Sequence, residues 1–156
     1  MTLDISSRIA FDANILFYAM DPYDEAKRSR CASILQRAMQ EMTGSVTLQT
    51  LGEFAVAVAR KGVLEKSEAA ASARDWADAF ETVAAATHAL HVALDWWRQG
   101  RLSYWDALLV ATLSDHGITG LVTEDMDAGA VIGGVEIINP FDSDANRTMN
   151  RHGLAI

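Results

Sequence analysis

Four acidic side chains in this sequence stand where an apolar run gives way to the start of a helix: Asp12, Glu53, Asp106 and Asp125. In an α/β sheet, the residues just past the carboxyl ends of parallel strands gather along one edge, where ligands bind. Carboxylates gathered there repel one another and resist ionisation unless a cation lies between them. Because hard cations such as Mg²⁺ prefer oxygen ligands, the pattern predicts a metal site suited to phosphate chemistry.

Each acid taken alone also has an ordinary role at a helix start. Glu53 and Asp106 each follow a threonine or serine by three positions, as in the capping box. Asp12 and Asp125 can cap the residues that follow them, because Asp accepts backbone N–H bonds well. Serine or threonine would cap as well without mutual repulsion, so the complete set favours a metal site over independent caps.

Polar neighbours of these acids are candidates for support of the same site. Asn14 can hold a metal-bound water or a neighbouring carboxylate, and it can equally be a turn residue. Thr123 can hydrogen-bond within the site. Glu124 and Asp127 compete with Asp125 for the fourth acidic position, and the sequence leaves that choice open.

The elements that must position these residues alternate between short strands and longer helices. Strands are predicted at 8–11, 45–47, 82–86, 118–123 and 135–138, and helices at 24–42, 51–61, 67–80, from 87 to just before Gly100, and at 103–116. This alternation predicts an α/β fold with a parallel sheet on which the helices pack.

Composition limits the class of protein. The chain of 156 residues is the size of one domain. It has no apolar run near the ~20 residues of a membrane span, and residues 1–5 show no signal-peptide pattern. Cys31 is the only cysteine, so no internal disulfide can form, and a reducing cytoplasm is the expected compartment.

The net charge of −8 argues against a protein that grips nucleic acid by bulk electrostatics. It does not exclude an enzyme that binds a phosphodiester through a metal and a local basic rim. The candidates for such a rim are Lys27, Arg28, Arg30, Arg37, Arg98 and Arg101. A solvated helix face accounts for most of them.

Other kinds of site fit the spacing less well. His88, His91 and Asp95 could share a helix face as zinc ligands, but the sequence offers no evident fourth ligand. Residues 142–146 resemble the opening of a calcium loop, but Arg147 stands where that loop needs glycine. The sequence also lacks the Gly-x-Ser-x-Gly motif of serine hydrolases and the Walker phosphate-binding motif.

Phosphate transfer through an aspartyl phosphate is the nearest rival chemistry, because it also uses an Asp after the first strand together with Mg²⁺. Phosphatases of the haloacid-dehalogenase type need a second Asp two residues later, where this chain has Asn14. Receiver domains need a lysine late in the chain, whereas the last lysine here is Lys66. Both alternatives are therefore disfavoured.

The ordered acids and their surroundings resemble the PIN-domain ribonucleases, in particular the VapC-type toxins of bacterial toxin–antitoxin pairs. The resemblance covers nearly the whole chain. Its most specific stretches are FDANIL at 11–16, YWDALL at 104–109, LVTEDM at 121–126 and the segment 131–141, which is similar to the closing strand of that family. The resemblance implies a three-layer α/β/α nuclease domain over residues 1–141, followed by a polar C-terminal tail at 142–156.

The resemblance also implies an activity and partners. The chain would be an endoribonuclease that depends on Mg²⁺ or Mn²⁺ and hydrolyses RNA phosphodiester bonds. Its acidic quartet would be Asp12, Glu53, Asp106 and Asp125, with Asn14 and Thr123 as polar support. Members of this family usually form homodimers and are inhibited by a small antitoxin. The alternative is a PIN-like domain retained as a non-catalytic binding module or scaffold.

Overall fold

The computed structural model describes residues 8–156 and shows a six-stranded sheet flanked by helices. The strands are β1 Ile9–Phe11, β2 Gly44–Thr47, β3 Glu81–Val83, β4 Gly120–Val122, β5 Val131–Ile132 and β6 Val135–Ile138. The helices are α1 Ala13–Tyr18, α2 Glu25–Glu41, α3 Leu48–Arg60, α4 Lys66–Ala79, α5 Thr87–Arg98, α6 Tyr104–Asp115 and α7 Ala145–Arg151. The predicted α/β class is confirmed, while the expectation for residues 1–5 lies outside the described residues.

The sheet has the strand order β3-β2-β1-β4-β6-β5. All neighbouring pairs are parallel except β5 and β6, which pair antiparallel through Ile132 and Val135. The sheet is therefore mixed rather than purely parallel. Strand β5 was not predicted, because two residues are too few to show a strand pattern.

Successive strand residues point to opposite faces of the sheet and enter two different cores. Ile9 and Phe11 of β1 pack in the core that contains residues of α1, α2, α3 and α7, whereas Ala10 packs in a second core with residues of α6. Strand β4 alternates in the same way, with Val122 in the first core and Leu121 in the second. This alternation confirms the three-layer α/β/α architecture.

Helix α3 begins earlier than predicted. The hydroxyl of Thr47 accepts a hydrogen bond from the N–H of Thr50 at 3.0 Å, so Thr47 is the N-cap and Thr50 is a buried residue inside the helix. The capping-box role considered for Glu53 is thus wrong.

Helix α2 is followed by its C-cap residue Met42, which has a left-handed conformation with φ of 55°. Gly44 lies in β2, where a Cβ atom would approach the Phe80 ring to 2.5 Å.

The segment expected to be a polar tail contributes to the fold. Helix α7 buries Ala145, Thr148 and Met149, and the chain beyond it buries Leu154. Met149 and Leu154 belong to the same core as Phe11 of the central strand. Within residues 8–156, no helix is both long and apolar enough to cross a membrane.

Candidate active site

Asp12 is a buried carboxylate at the junction between β1 and α1. It is 7% exposed, and its backbone N–H donates to the carbonyl of Val122 at 3.0 Å, which ties it to the end of β4. One carboxylate oxygen accepts from the N–H of Ala13 at 2.8 Å, and the other accepts from the hydroxyl of Thr123 at 2.9 Å. Burial is the main cause that raises the pKa of Asp12 to about 6, and the nearby charges of Glu53 and Asp106 raise it further.

A chain of hydrogen bonds joins Asp12 to Asp125. The Thr123 hydroxyl that donates to Asp12 accepts from the Asn14 side-chain amide at 3.1 Å and from the N–H of Asp125 at 3.2 Å. The same Asn14 amide group donates to the Asp125 carboxylate at 2.9 Å. The carbonyl oxygen of the Asn14 side chain accepts from the N–H of Glu124 at 3.3 Å. Asn14 and Thr123 therefore hold the loop after β4 against the start of α1.

Glu53 and Asp106 reach the same region from helices rather than from strand ends. Glu53 lies in the second turn of α3, and Asp106 lies in the first turn of α6, which follows α5 and a short loop. Asp125 likewise lies in a loop that leads to β5 and not to a helix. The expectation that all four acids stand at strand-to-helix junctions is therefore correct for Asp12 alone.

Gln49 connects the two helices that carry Glu53 and Asp106. Its side-chain amide donates to the Glu53 carboxylate at 3.0 Å and to the carbonyl of Trp105 at 3.2 Å. Ser103 begins α6, since its hydroxyl accepts from the N–H of Asp106 at 3.4 Å. Gln49 was not among the predicted site residues. Its position one helical turn before Glu53 was the available signal.

A cavity of about 620 Å³ opens beside these groups. Its acidic and amide lining comes from Asn14, Glu53 and Asp125, and its cationic lining comes from Arg60 and Lys61. Asp12 and Asp106 are not among its lining residues. The cavity is thus bordered by part of the acidic set at one end of α3 and by two cations at the other.

The three competing acids of the loop after β4 have different surroundings. Glu124 forms an ion pair with Lys27 at 2.6 Å and accepts from the Tyr18 hydroxyl. Burial opposes its ionisation, but these hydrogen bonds hold the pKa of Glu124 below its ordinary value. Asp127 is exposed and does not line the cavity, whereas Asp125 does. This geometry supports Asp125 as the fourth acid.

The carboxylate oxygens of the four acids are the kind of ligand that a hard divalent cation prefers, but they are not arranged around a common centre. Among the side chains of residues 8–156, no three or more His, Cys, Asp or Glu groups are close enough together to hold a metal ion. Nevertheless, Asp12 is a buried carboxylate whose pKa is raised by burial and by the nearby charges of Glu53 and Asp106, and no cationic side chain of residues 8–156 pairs with it. A bound cation would offset both the cost of burial and the repulsion, so the chemistry of these donors suits a hard divalent cation.

The other candidate groups have structural partners. His88 contacts Asp115 at 2.8 Å, which ties α5 to α6. Cys31 is buried, and burial raises the pKa of its thiol to about 12, so it is unreactive. Trp76 stacks on Phe80 at 5.8 Å in the core.

Comparisons with known proteins agree with this fold. The family model for the PIN domain matches residues 9–132. No curated protein sequence matches the chain significantly.

Among solved structures, a toxin–antitoxin complex from Klebsiella pneumoniae is similar with a TM-score of 0.62 and 19% identity, over 86% of this chain and 98% of that chain. VapC20 of Mycobacterium tuberculosis, a toxin that cleaves the sarcin-ricin loop, has a TM-score of 0.60 and 16% identity, over 72% of this chain and 86% of that one. VapBC2 of Rickettsia felis, bound to a DNA fragment from its promoter, has a TM-score of 0.58 and 13% identity, over 83% of this chain and 96% of that chain.

Proposed function

Because the chain belongs to the PIN-domain family, we propose that it is a metal-dependent endoribonuclease and the toxin of a type II toxin–antitoxin pair. The observation that carries this proposal is the buried carboxylate of Asp12, which is repelled by Glu53 and Asp106 and pairs with no cation in the part of the chain that the structure describes. Leaving a charge in this state destabilises a fold, and such groups cluster at functional sites. The cavity beside Asp125 gives a substrate access to the same region.

Four carboxylates would hold Mg²⁺ or Mn²⁺ in this site: Asp12, Glu53, Asp106 and Asp125. When bound, the ion supplies Lewis-acid stabilisation of the phosphoryl oxygens and a water of lowered pKa. In the hydrolysis, water adds to phosphorus, one P–O ester bond breaks, and the leaving oxygen takes up a proton.

The side chains around the carboxylates act as positioning groups. Ala13 N–H and the Thr123 hydroxyl fix both oxygens of Asp12. Asn14 fixes the carboxylate of Asp125, and Gln49 fixes that of Glu53. Because these three acids are restrained by neutral donors, their negative charges remain available to a cation.

Cleavage of total RNA and transfer RNA is the direct test. The assay compares Mg²⁺, Mn²⁺ and chelator for the wild type, Asp106→Asn and Asp127→Asn. We expect cleavage only with a metal ion, loss of cleavage in Asp106→Asn, and unchanged cleavage in Asp127→Asn, because that acid is exposed and lies outside the cavity. If a folded protein that binds Mn²⁺ cuts none of these RNAs, the non-catalytic scaffold becomes the better account.

The toxin role includes a protein partner. The structural neighbours from Klebsiella pneumoniae and Rickettsia felis are toxin–antitoxin complexes, which supports a small antitoxin as the partner. The proposed substrate is RNA in the cytoplasm. We further propose that the chain forms a homodimer. Expression of the chain alone should arrest bacterial growth, expression of Asp106→Asn should not, and light scattering should give twice the mass of 17.0 kDa. Growth unaffected by the active nuclease would contradict the toxin role.

A further inference from the structure

Two cations stand at the C-terminal end of α3 and line the cavity: Arg60 is the last residue of the helix, and Lys61 follows it. Glu53, Ala57 and Arg60 line the cavity and share one face of the helix, since they are separated by three, four or seven positions, and Lys61, which follows the helix, lines the cavity as well. At 1.5 Å per residue, Arg60 lies about 10 Å along the helix axis from Glu53. We propose that Arg60 and Lys61 bind an RNA phosphate that neighbours the scissile phosphodiester.

Arg60 is available for such a contact. In the part of the chain that the structure describes, its exposed guanidinium makes no hydrogen bond or ion pair. The cations of α2, which the sequence offered as a basic rim, are instead occupied within the protein. Lys27 pairs with Glu124, Arg28 with Glu25, and Arg37 with Glu41, while Arg30 donates to the Pro140 carbonyl and to Asn146.

Lys61 is held in place beside Arg60. Its ammonium lies 4.8 Å from the centroid of the Phe17 ring, and Phe17 itself lines the cavity. This cation–π contact orients the ammonium without neutralising its charge. Lys61 therefore has a defined position and a positive charge still available to an anion.

The spacing along α3 explains why the two cations do not simply neutralise the acids of the cavity. Val56 and Ala57 separate Glu53 from Arg60, and Val56 is 64% exposed. In a chain of net charge −8, a polyanion meets repulsion over most of the surface. An unpaired cationic pair beside the acidic set gives the RNA backbone a local point of attachment, and the arginine fork suits phosphate oxygens. This inference rests on the proposed nuclease function.

Binding of a labelled single-stranded RNA, followed by fluorescence anisotropy, tests the proposal. All proteins carry Asp106→Asn to prevent cleavage, and Kd is measured between 50 and 300 mM salt with Mg²⁺ present. Each phosphate contact on single-stranded nucleic acid contributes a salt slope of about 0.7, which equals about a fivefold change in affinity at 0.1 M salt. Arg60→Gln and Lys61→Gln should each weaken binding about fivefold and make the slope about 0.7 shallower.

Arg74→Gln is the matched control, because Arg74 is an exposed cation of α4 outside the cavity. It should leave Kd and the salt slope unchanged. The proposal is overturned if Arg60→Gln and Lys61→Gln bind like their parent, if Arg74→Gln weakens binding equally, or if the parent protein binds no RNA at 50 mM salt. Cleavage by the protein without Asp106→Asn is measured in parallel. Its absence, combined with the expected loss of binding, would refute the nuclease function and leave the phosphate site standing.

Discussion

Asp12 and Glu136 are carboxylates at opposite ends of the same sheet. Asp12 follows β1 and bonds through its N–H to Val122, the last residue of β4, whereas Glu136 lies in β6 beside Gly120, the first residue of β4. Among residues 8–156, the donors to the Asp12 carboxylate are the neutral N–H of Ala13 and the hydroxyl of Thr123, and burial raises its pKa to about 6. Glu136 contacts His152 at 2.7 Å and Arg151 at 3.3 Å, and the hydrogen bond to His152 is the main cause that holds the pKa of Glu136 below its ordinary value.

The difference separates a carboxylate used for stability from one kept for function. Glu136 joins the segment after α7 to the sheet, so its charge is satisfied within the fold. Asp12 is left with its charge unsatisfied at the end of the sheet where the cavity opens. A charge that the protein does not neutralise itself is one that a ligand can neutralise. Exchanging each carboxylate for its amide therefore has opposite consequences at the two ends.

The largest expected effect is on catalysis. Asp12→Asn removes a ligand of the proposed cation, whose stabilisation of transition-state charge is worth several kcal/mol, so RNA cleavage should fall by about a thousandfold. Glu136→Gln should leave the cleavage rate within about twofold, because Glu136 lies at the other end of the sheet. The RNA cleavage rates of the two variants and the wild type are measured at saturating Mn²⁺. Equal losses in the two variants would remove the distinction between the two carboxylates.

The next largest effect is on the stability of the metal-free protein. Here Asp12→Asn should be favourable, whereas its effect on catalysis is unfavourable. The pKa of Asp12 rises from 3.8 to about 6 on folding, so its charge costs about 3 kcal/mol of folding free energy above pH 6. Asp12→Asn should therefore stabilise the metal-free protein at pH 7 by up to that amount. Glu136→Gln should destabilise it by about 1 kcal/mol, since charge-assisted hydrogen bonds are lost.

The effects of Asp12→Asn and Glu136→Gln on the free energy of unfolding should also depend on pH in opposite ways. The cost of the Asp12 charge is absent well below pH 3.8, where both the folded and the unfolded states are protonated; it grows as the pH rises from 3.8 to about 6 and is constant above that. The advantage of Asp12→Asn over the wild type should therefore be largest at pH 7 and should fall to a small fraction of that value at pH 4. The contribution of Glu136 is present above its ordinary pKa and is lost as the pH falls through the lowered one. Urea unfolding in chelator at pH 4, 5.5 and 7 distinguishes these trends.

A smaller effect is expected from a matched pair of threonines. Thr123 donates to Asp12 at 2.9 Å, and Thr119 contacts His152 at 2.8 Å. Thr123→Val removes a group that orients a ligand, and such changes reduce activity about 10–100-fold. Thr119→Val should leave cleavage unchanged and cost about 1 kcal/mol of stability. If Thr123→Val lowers stability but not the cleavage rate, the Thr123 hydroxyl serves the fold alone.

The sequence predicted the elements that are marked by a local apolar pattern, and it missed those defined by tertiary contacts. Helix α2 and strands β1 and β4 were found within a few residues, because apolar periodicity is a local signal. Helix α7 was missed because only a few of its seven residues face the core, among polar residues that read as a tail. Its burial depends on the sheet, which no local pattern reveals.

The acids of the site were identifiable by type, but their surroundings were not. Asp12 could be placed at a strand end from its local sequence. The approach of Glu53 and Asp106 depends on how α3 and α6 pack, and the sequence wrongly placed both at strand ends. The pairing of Glu124 with Lys27 joins residues 97 positions apart, so only the fold could favour Asp125 over its neighbour.

The smallest effect concerns which cation holds Glu136. The Arg151 side chain is 60% exposed and its nitrogens lie 3.3 Å from the carboxylate, whereas the His152 side chain is 12% exposed and lies at 2.7 Å. A Cβ atom at Gly120 would approach the His152 ring to 3.0 Å, so the ring is packed tightly against β4. Exposed ion pairs contribute about 0–1 kcal/mol. Arg151→Gln should therefore change the unfolding free energy by less than about 0.5 kcal/mol, and His152→Gln should cost more because it also disturbs packing against the strand. A larger loss in Arg151→Gln would assign the neutralisation of Glu136 to the exposed guanidinium.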